Sequence, residues 1–203
     1  MALAPDAVVV QRLRQRDEAV FALLLDTWSR GMLRAARAYV ASDQSAEDVV
    51  QDTWLAVVRG IDRFEGRSSL RTWVYRILVN LAKTRGVREG RTVPVGLPDD
   101  SPTVDPARFQ GPDDRYPGHW RAFPASPESW VLSREVHSLL DRALAGLPER
   151  QRIVITLRDV EGYTSEEVCS ILEISAANQR VLLHRARAAV RGRLEEYFEE
   201  VAP

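Results

Sequence analysis

A stretch near the end of the chain combines five arginines with no acid. In NQRVLLHRARAAVRGRL, residues 178–194, the charge is sharply local, because the whole chain of 203 residues has a formal net charge of only -1. Basic side chains recur there on one helical stripe, with one more close beside it: Arg180, His184, Arg187 and Arg191, with Arg185. Arginine can bridge O6 and N7 of guanine, so such a helix could read duplex DNA in the major groove. A solvent-facing basic helix in a bundle would show the same spacing.

A second stripe combines a ring, two cations and an amide. Trp73, Arg76, Asn80 and Lys83 fall at i, i+3, i+7 and i+10 of a helical pattern. An aromatic ring holds an unpaired base at about 1–3 kcal/mol, and cations follow the phosphates. The stripe therefore suits captured single-stranded DNA. Burial of Trp73 is the alternative, whereas a buried Asn80 would need hydrogen-bond partners, which favours a functional role for it.

An acidic face precedes that stripe. Glu47, Asp48, Gln51 and Asp52 form the polar side of a helix whose other side is apolar. Acids do not help to bind DNA, so this face could meet a protein. The alternative is a solvated face whose acids suit a helix N-terminus.

Enzyme chemistry has little support in the sequence. The histidines His119, His137 and His184 are widely separated, no metal-ligand spacing occurs, and no Gly-rich loop follows a strand. We expect neither enzyme activity nor a cofactor. Cys169 is the single cysteine, and no apolar run approaches the roughly 20 residues of a membrane helix. These features, with a start that lacks a basic leader, predict a soluble cytoplasmic protein without membrane contact.

The apolar periodicity that positions these groups is helical throughout. One stripe runs from Leu13 to Met32, a second from Val49 to Ile61 after a capping pair at Ser45 and Asp48, and a third from Leu70 to Leu81, ending near Gly86. The segment DRFEGRSS between the last two predicts a loop. Nothing alternates with period two, so the predicted fold is all-α.

A helix-turn-helix is predicted in the second half. A helix from Trp130 to Leu144 stops at Gly146, Pro148 opens the next, and Gly162 closes it. Thr164 with Glu167 predicts a capping box, and Ser175 caps the basic helix. Six apolar positions are expected to be buried, namely Val168, Ile171, Leu172, Ile174, Val181 and Leu182.

A Pro- and Gly-rich, acidic segment separates the two halves. Between Thr92 and Trp130 lie eight prolines and three glycines, a composition typical of irregular structure. We therefore predict two small helical domains, 1–91 and 130–203, joined by a linker over 92–129.

Two long motifs resemble the bacterial extracytoplasmic-function sigma factors. AEDVVQDTWLAVVRGIDRFEGRSSLRTWVYRILVNLAKTR is similar to that family's N-terminal domain, and LPERQRIVITLRDVEGYTSEEVCSILEISAANQRVLLHRARAAVRGRL to its promoter-binding C-terminal domain. The resemblance covers nearly the whole chain. It departs at Glu173, where glycine is frequent, and at Gln179 and Leu182, where an apolar and a basic residue are more usual.

The resemblance implies a subunit that directs core RNA polymerase to promoter DNA. It implies minus-thirty-five contacts by Arg180, His184, Arg185, Arg187 and Arg191. It implies minus-ten contacts and strand opening by the loop from Phe64 to Ser69, including Ser68, and by Trp73, Arg76, Asn80 and Lys83. It implies polymerase contacts by Asp48, Gln51, Asp52 and Trp54, and a cognate anti-sigma protein as a further partner.

Two other classes of protein stay open from the residues alone. One is a self-sufficient helix-turn-helix regulator that binds duplex DNA as a dimer, and the other is a protein-binding helical adaptor. The stripe from Trp73 to Asn80 separates them from a sigma factor, because neither needs a single-strand capture surface.

Overall fold

The computed structural model describes residues 4–90 and 134–201, and within these ranges the chain is helical without a strand, as the all-α prediction expects. The predicted linker, 92–129, and residues 130–133 lie outside them. In chain order the α-helices are α1 (Asp6–Arg14), α2 (Glu18–Ala36), α3 (Asp43–Gly60), α4 (Leu70–Arg88), α5 (Arg134–Ala145), α6 (Glu149–Ile155), α7 (Ser165–Leu172) and α8 (Ala176–Val201).

The first apolar stripe is divided between two helices. Arg16 has a left-handed backbone, with φ of 60°, and breaks the helical path between α1 and α2. The Asp17 side chain then caps α2 by accepting from the Val20 amide at 3.1 Å. An Asp at this position satisfies a helix-start N–H that would otherwise lack a partner. Periodicity alone did not reveal the break, because Leu13 keeps the phase of the α2 stripe.

Helix α3 begins one turn earlier than its predicted cap. Ser42 is the N-cap, and its hydroxyl accepts from the Ser45 amide at 3.1 Å. Ser45 is buried inside the first turn, so the predicted capping pair of Ser45 and Asp48 was wrong. The end of α3 agrees with the sequence, since a 3-10 turn at Ile61–Arg63 leads into the predicted loop before α4.

Helix α4 is buried on more sides than its apolar stripe indicated. Tyr75 and Val79 are fully buried beside the predicted Leu78, because α4 packs against α2, α3 and α7. Near its end, a Cβ on Gly86 would lie 2.4 Å from the Tyr39 carbonyl oxygen. Only glycine allows this close approach of two backbones.

The helix ends and starts predicted between Gly146 and Thr164 are confirmed, whereas the predicted start at Trp130 lies outside the described residues. α5 ends at Ala145, directly before Gly146, and α6 follows Pro148. A π-helical turn, Thr156–Val160, extends α6 towards Gly162, whose φ is 74°. Thr164 and Glu167 form the reciprocal capping box of α7.

By its internal contacts the chain divides into two compact units. The first comprises Met1–Val95 with Thr156–Gln179, and the second comprises Gly96–Ile155 with Arg180–Pro203. Helix α7 therefore belongs with α1 to α4 by contact. The predicted domain limits of 1–91 and 130–203 stay predictions, because compactness does not measure which segments fold independently.

Two absences hold for the ranges 4–90 and 134–201. None of their helices combines the length and apolar character that a membrane crossing requires. Their His, Cys, Asp and Glu side chains form no group of three or more that could hold a metal ion.

Candidate nucleic-acid interface

Helix α8 presents the predicted basic stripe from a well-defined start. The Ser175 hydroxyl accepts from the Asn178 amide at 3.2 Å, as the predicted cap requires. Arg180, His184 and Arg187 are exposed, and Arg185 and Arg191 are half-buried. The first half of α8 thus offers cationic side chains to solvent, as a helix placed in a major groove would need.

The buried face of α8 differs from the predicted one. Val181 is 47% exposed, so its predicted burial was wrong, and Leu182 is only half-buried. The buried residues recur at i, i+4, i+7 and i+11 instead: Gln179, Leu183, Ala186 and Val190. Gln179 is 1% exposed, and its Oε1 accepts from the Ser165 hydroxyl at 3.0 Å. An amide thus holds the start of α8 where the family more usually has an apolar residue.

The turn before α8 contains the other departure from the family pattern. Glu173 ends α7 with φ of 59° and ψ of 45°, the left-handed conformation that glycine adopts most easily. The expected strain at this position is therefore present. The Ile174 amide still donates to the Cys169 carbonyl at 3.2 Å, so the turn keeps its closing hydrogen bond.

The surroundings of His184 favour its neutral form. Although the side chain is largely exposed, partial desolvation lowers the pKa of its imidazole below the usual 6.5, and the positive charges of Arg185 and Arg187 lower it further. In the unbound protein His184 can therefore donate or accept a hydrogen bond without adding charge to the stripe.

Arg193 serves the protein's own backbone. Its guanidinium donates to the carbonyl oxygens of Arg142, Ala143 and Gly146 at 3.2–3.4 Å. The carbonyls of Arg142 and Ala143 belong to the last turn of α5 and that of Gly146 lies just beyond it, so Arg193 adds hydrogen bonds to acceptors at the helix end. Position near the far end of α8 predicts phosphate contacts for Arg191 and Arg193, and in the free chain these hydrogen bonds already engage the Arg193 guanidinium.

Helix α4 carries the second stripe along its length. Arg76, Asn80 and Lys83 are exposed, while Trp73 is half-buried. The Trp73 ring packs on Phe64, with 5.1 Å between ring centroids and 51° between planes. Trp73 is therefore partly a core residue, and its contact with DNA stays a prediction for the part of the ring that is not covered. Asn80 has the exposure that base reading requires.

Contacts from α1 fix both ends of the loop before α4. Arg14 donates from Nη2 to the Phe64 carbonyl at 2.7 Å, and Asp6 accepts from the Leu70 amide at 2.6 Å. Ser69, the last residue of the loop, caps α4 by accepting from the Thr72 amide at 3.1 Å. Sequence analysis missed Asp6 and Arg14, because no local pattern links them to a loop so distant along the chain.

Acids from the segment 161–173 contact the N-terminal half of α4 within the first unit. Glu167 accepts from the hydroxyls of Ser69 and Thr72, at 3.3 and 3.1 Å. Glu173 lies 3.2 Å from Arg76. Two members of the predicted minus-ten set, Ser69 and Arg76, are thus engaged by acids that sequence analysis had assigned to helix capping and to a strained turn.

The predicted polymerase-binding residues lie on α3 in different environments. Gln51 and Asp52 are exposed. Asp48 is half-buried and accepts from Arg85 at 3.0 Å. Trp54 is 5% exposed, stacks on Trp28 with 6.3 Å between centroids, and donates from Nε1 to Ser29. Trp54 therefore belongs mainly to the core, so at most its edge could meet a partner.

An apolar groove lies between α2 and α3 beside that face. Its volume is about 420 Å³. Gln51 and Glu47 line its polar side, and Trp54 and Leu55 line its apolar side. Leu55 is 45% exposed, which is unusual for leucine. The groove and the exposed polar residues form one continuous surface that suits a partner helix with an apolar face.

Two family descriptions match the chain. Residues 24–92 match Sigma-70 region 2, and residues 137–190 match Sigma-70 region 4. The first range contains the predicted minus-ten and polymerase-binding residues. The second contains all predicted minus-thirty-five residues except Arg191.

Curated relatives match over nearly the full length. The chain is 31% identical over 190 residues to the ECF RNA polymerase sigma-E factor of Escherichia coli K12, covering 94% of each protein. It is similarly 31% identical to the sigma-E factor of Salmonella typhimurium and 30% identical to the RNA polymerase sigma-H factor of Pseudomonas aeruginosa, with 96% of each covered in the latter case.

Solved structures share the fold at lower identity. CnrH in complex with the cytosolic domain of CnrY aligns with a TM-score of 0.60 and 20% identity, covering 94% of this chain and 97% of that one. The sigma factor RpoE in complex with the anti-sigma factor NepR, from Bartonella quintana, aligns with a TM-score of 0.57 and 22% identity, covering 86% and 96%.

Proposed function

The chain belongs to the extracytoplasmic-function sigma factors of RNA polymerase, and on that basis we propose a role for each of its surfaces. Sigma factors are transcription initiation factors rather than enzymes. This chain is a sigma factor with regions 2 and 4 in the family's order. Which residues contact DNA and polymerase is our proposal.

We assign minus-thirty-five recognition to α8. Arg180, His184, Arg185, Arg187 and Arg191 would contact the duplex, with Arg180 nearest the helix start, where base edges are reached. The exposure of Arg180, His184 and Arg187 supports this assignment. The neutral imidazole of His184 suits a hydrogen bond better than a phosphate contact.

We assign minus-ten recognition and strand opening to α4 and the loop before it. Asn80 would read a base outside the duplex, Lys83 and Arg76 would follow the phosphates, and the Phe64–Trp73 pair would offer an aromatic edge. The single observation that carries the assignment is an exposed amide and lysine on α4, directly after a loop anchored at both ends. Ser68 and Ser69 belong to this loop.

Core polymerase would bind the α3 surface. Gln51 and Asp52, with the edge of the apolar groove, fit the clamp helices that the family uses, and Asp48 would take part after loosening its pair with Arg85. A solved relative is described as a complex with an anti-sigma factor, so we propose a cognate anti-sigma protein as a further partner. Because sigma factors act on RNA polymerase in the cytoplasm, we propose a cytoplasmic location for the chain.

Run-off transcription with purified core polymerase tests the proposal. The template is a fragment selected from genomic DNA by the reconstituted holoenzyme, and the control is core polymerase alone. Transcripts that start at a defined site only when the chain is present are expected. A chain that binds duplex DNA as a dimer without polymerase, and yields no transcripts, would instead support the self-sufficient regulator.

A further inference from the structure

Three carboxylates bind one edge of α4, and the groups they bind are those that a phosphate would use. We call Glu161, Glu167 and Glu173 the acidic cover, and Ser69, Arg71, Thr72 and Arg76 the α4 edge. Both belong to the first compact unit. Arg71 and Thr72 have no assigned role in DNA binding.

Glu161 is the buried anchor of the cover. Only 6% of its side chain is exposed, and its carboxylate lies 2.6 Å from Arg34 and 3.2 Å from Arg71. The Arg71 guanidinium lies 4.3 Å from the Tyr163 ring centre, which holds its plane in place. A Cβ on Gly31 would lie 2.3 Å from the Glu161 carboxylate, so glycine at this position is what admits the acid.

Glu167 and Glu173 are the members of the acidic cover that a phosphate could replace. Glu173 and Arg76 are 61% and 44% exposed in their side chains, and ion pairs of this kind contribute little to stability. Glu167 accepts from two hydroxyls at the start of α4, where the helix dipole also favours negative charge. Partial burial raises the pKa of Glu167, but hydrogen bonds from the Thr164 amide and the two hydroxyls lower it by more. The net pKa lies below the usual value, so Glu167 stays ionised.

Carboxylate and phosphate compete for the same donors. Guanidinium groups, hydroxyls and helix N-termini bind both anions through charge-assisted hydrogen bonds. We propose that the α4 edge is a binding site for the phosphate backbone of the melted strand, and that the acidic cover fills it in the free chain. This inference rests on the proposed function, because it extends the minus-ten surface towards the start of α4.

The acidic cover leaves part of the α4 stripe exposed. Asn80 and Lys83 lie further along α4 and are exposed. The cover therefore blocks backbone contacts while leaving the base-reading amide open. Thr72 is only 1% exposed because α7 packs against α4, so the whole edge opens only when α7 moves away from it. Free chain should therefore bind single-stranded DNA weakly, and loss of the Glu167 and Glu173 contacts should favour that movement and open the α4 edge to further phosphates.

The double substitution Glu167→Gln with Glu173→Gln tests the cover. Glutamine keeps the acceptor that the α7 capping box needs, so the helix start survives. The probe is fluorescein-labelled oligo(dT) of about 15 nucleotides, near the site sizes of single-strand binders. Fluorescence anisotropy should show an affinity higher by roughly threefold for each additional phosphate that the uncovered edge binds. The slope of log K against log salt should become steeper by about 0.7 for each such phosphate.

A second pair of substitutions separates local uncovering from net charge. Glu166→Gln with Asp26→Asn changes the net charge by the same amount at positions outside the cover. This control should leave the salt slope unchanged. Adding Arg76→Gln to the test pair should remove part of the increase in affinity. Equal increases in both pairs, or no increase in the test pair while thermal unfolding is normal, would overturn the inference.

Run-off transcription by the wild-type protein distinguishes failure of the acidic cover from failure of the proposed function. If wild-type protein directs run-off transcription but the test pair binds oligo(dT) no more tightly, the cover is wrong and the proposed function stands. If wild-type protein directs none, the proposed function fails whatever the anisotropy shows. Tighter binding by the test pair would then establish a covered polyanion site without a promoter role.

Discussion

Two arginines of α8 show how position along one helix decides the role of a side chain. Arg180 is exposed near the helix start, whereas Arg193 donates to three carbonyls at the end of α5. We predict that Arg180→Ala costs the holoenzyme about 1–3 kcal/mol on its cognate promoter and relaxes specificity at one base pair. Promoter affinity measured on cognate and scrambled fragments tests this.

Arg193→Ala is the matched control within the same helix. It should lower the melting temperature by removing the hydrogen bonds that Arg193 donates at the end of α5, and it should change promoter affinity little. Equal losses for Arg180→Ala on cognate and scrambled DNA would refute base reading. A large affinity loss for Arg193→Ala in a stably folded protein would restore the phosphate role.

Glu89 makes the stability of the N-terminal helices depend on pH. Its carboxylate accepts from the Ser45 side chain, from the Ala41 amide at 3.0 Å and from Arg85 at 2.8 Å, which lowers its pKa from 4.5 to about 2. A lowered pKa in the folded state stabilises the fold above pH 4.5, and this contribution disappears as pH falls towards 2.

Chemical unfolding of wild type and Glu89→Gln at several pH values tests this dependence. The wild type should be more stable at pH 7, and the difference should shrink steadily below pH 4.5. A difference that is constant across this range would mean that hydrogen bonding without charge accounts for the role of Glu89.

At the scale of elements, α1 acts as a brace for the loop before α4, to which we assign strand opening. Arg14 holds the Phe64 carbonyl and Asp6 holds the Leu70 amide, so the loop ends are fixed by one short helix. We predict that Arg14→Ala reduces open complex while polymerase association is unchanged, because the loop loses its preorganised position. Permanganate reactivity of the minus-ten bases measures this. Arg12→Ala is the control, since Arg12 pairs with Asp17 outside the loop, and wild-type reactivity in Arg14→Ala would contradict the brace.

Most helices could be predicted from apolar spacing, and the failures have local causes. The caps at Thr164 and Ser175 were found because the capping residues are adjacent in sequence to the helix they start. The break at Arg16 was missed, because a left-handed arginine has no sequence signal. The rotation of α8 was missed because Gln179, a polar residue, occupies a core position and Val181 does not.

For the candidate site too, some residues could be predicted from the sequence and others could not. Side chains that we propose to act from one helix face, such as Asn80 and Arg180, follow from spacing and family resemblance. Side chains that act through contacts between distant segments do not. Asp6, Arg14 and Glu167 became visible only when the structure brought the loop, α1 and α7 together.

For the whole molecule, polymerase binding and strand opening should separate experimentally. Asn80→Ala and Phe64→Ala are expected to leave polymerase association intact yet reduce permanganate reactivity, because their partner exists only in melted DNA. Asp52→Arg should weaken polymerase association, since it places a cation on the exposed α3 surface to which we assign polymerase binding. Unchanged polymerase affinity in Asp52→Arg, measured by competition with wild type, would count against the α3 assignment.

The left-handed Glu173 links the stability of the fold to the DNA affinity of the free chain, because one residue sets both. A non-glycine residue in this conformation costs about 1 kcal/mol, yet its carboxylate supplies the exposed pair with Arg76. Glu173→Gly should therefore raise the melting temperature while weakening the cover, giving a sturdier protein that binds oligo(dT) more tightly. Glu173→Asn, which tolerates the same conformation without charge, should show the second effect with less of the first. Glycine would suit the turn best but would leave the DNA surface uncovered in the free chain. Glutamate costs some stability at this position and supplies the carboxylate that covers the surface.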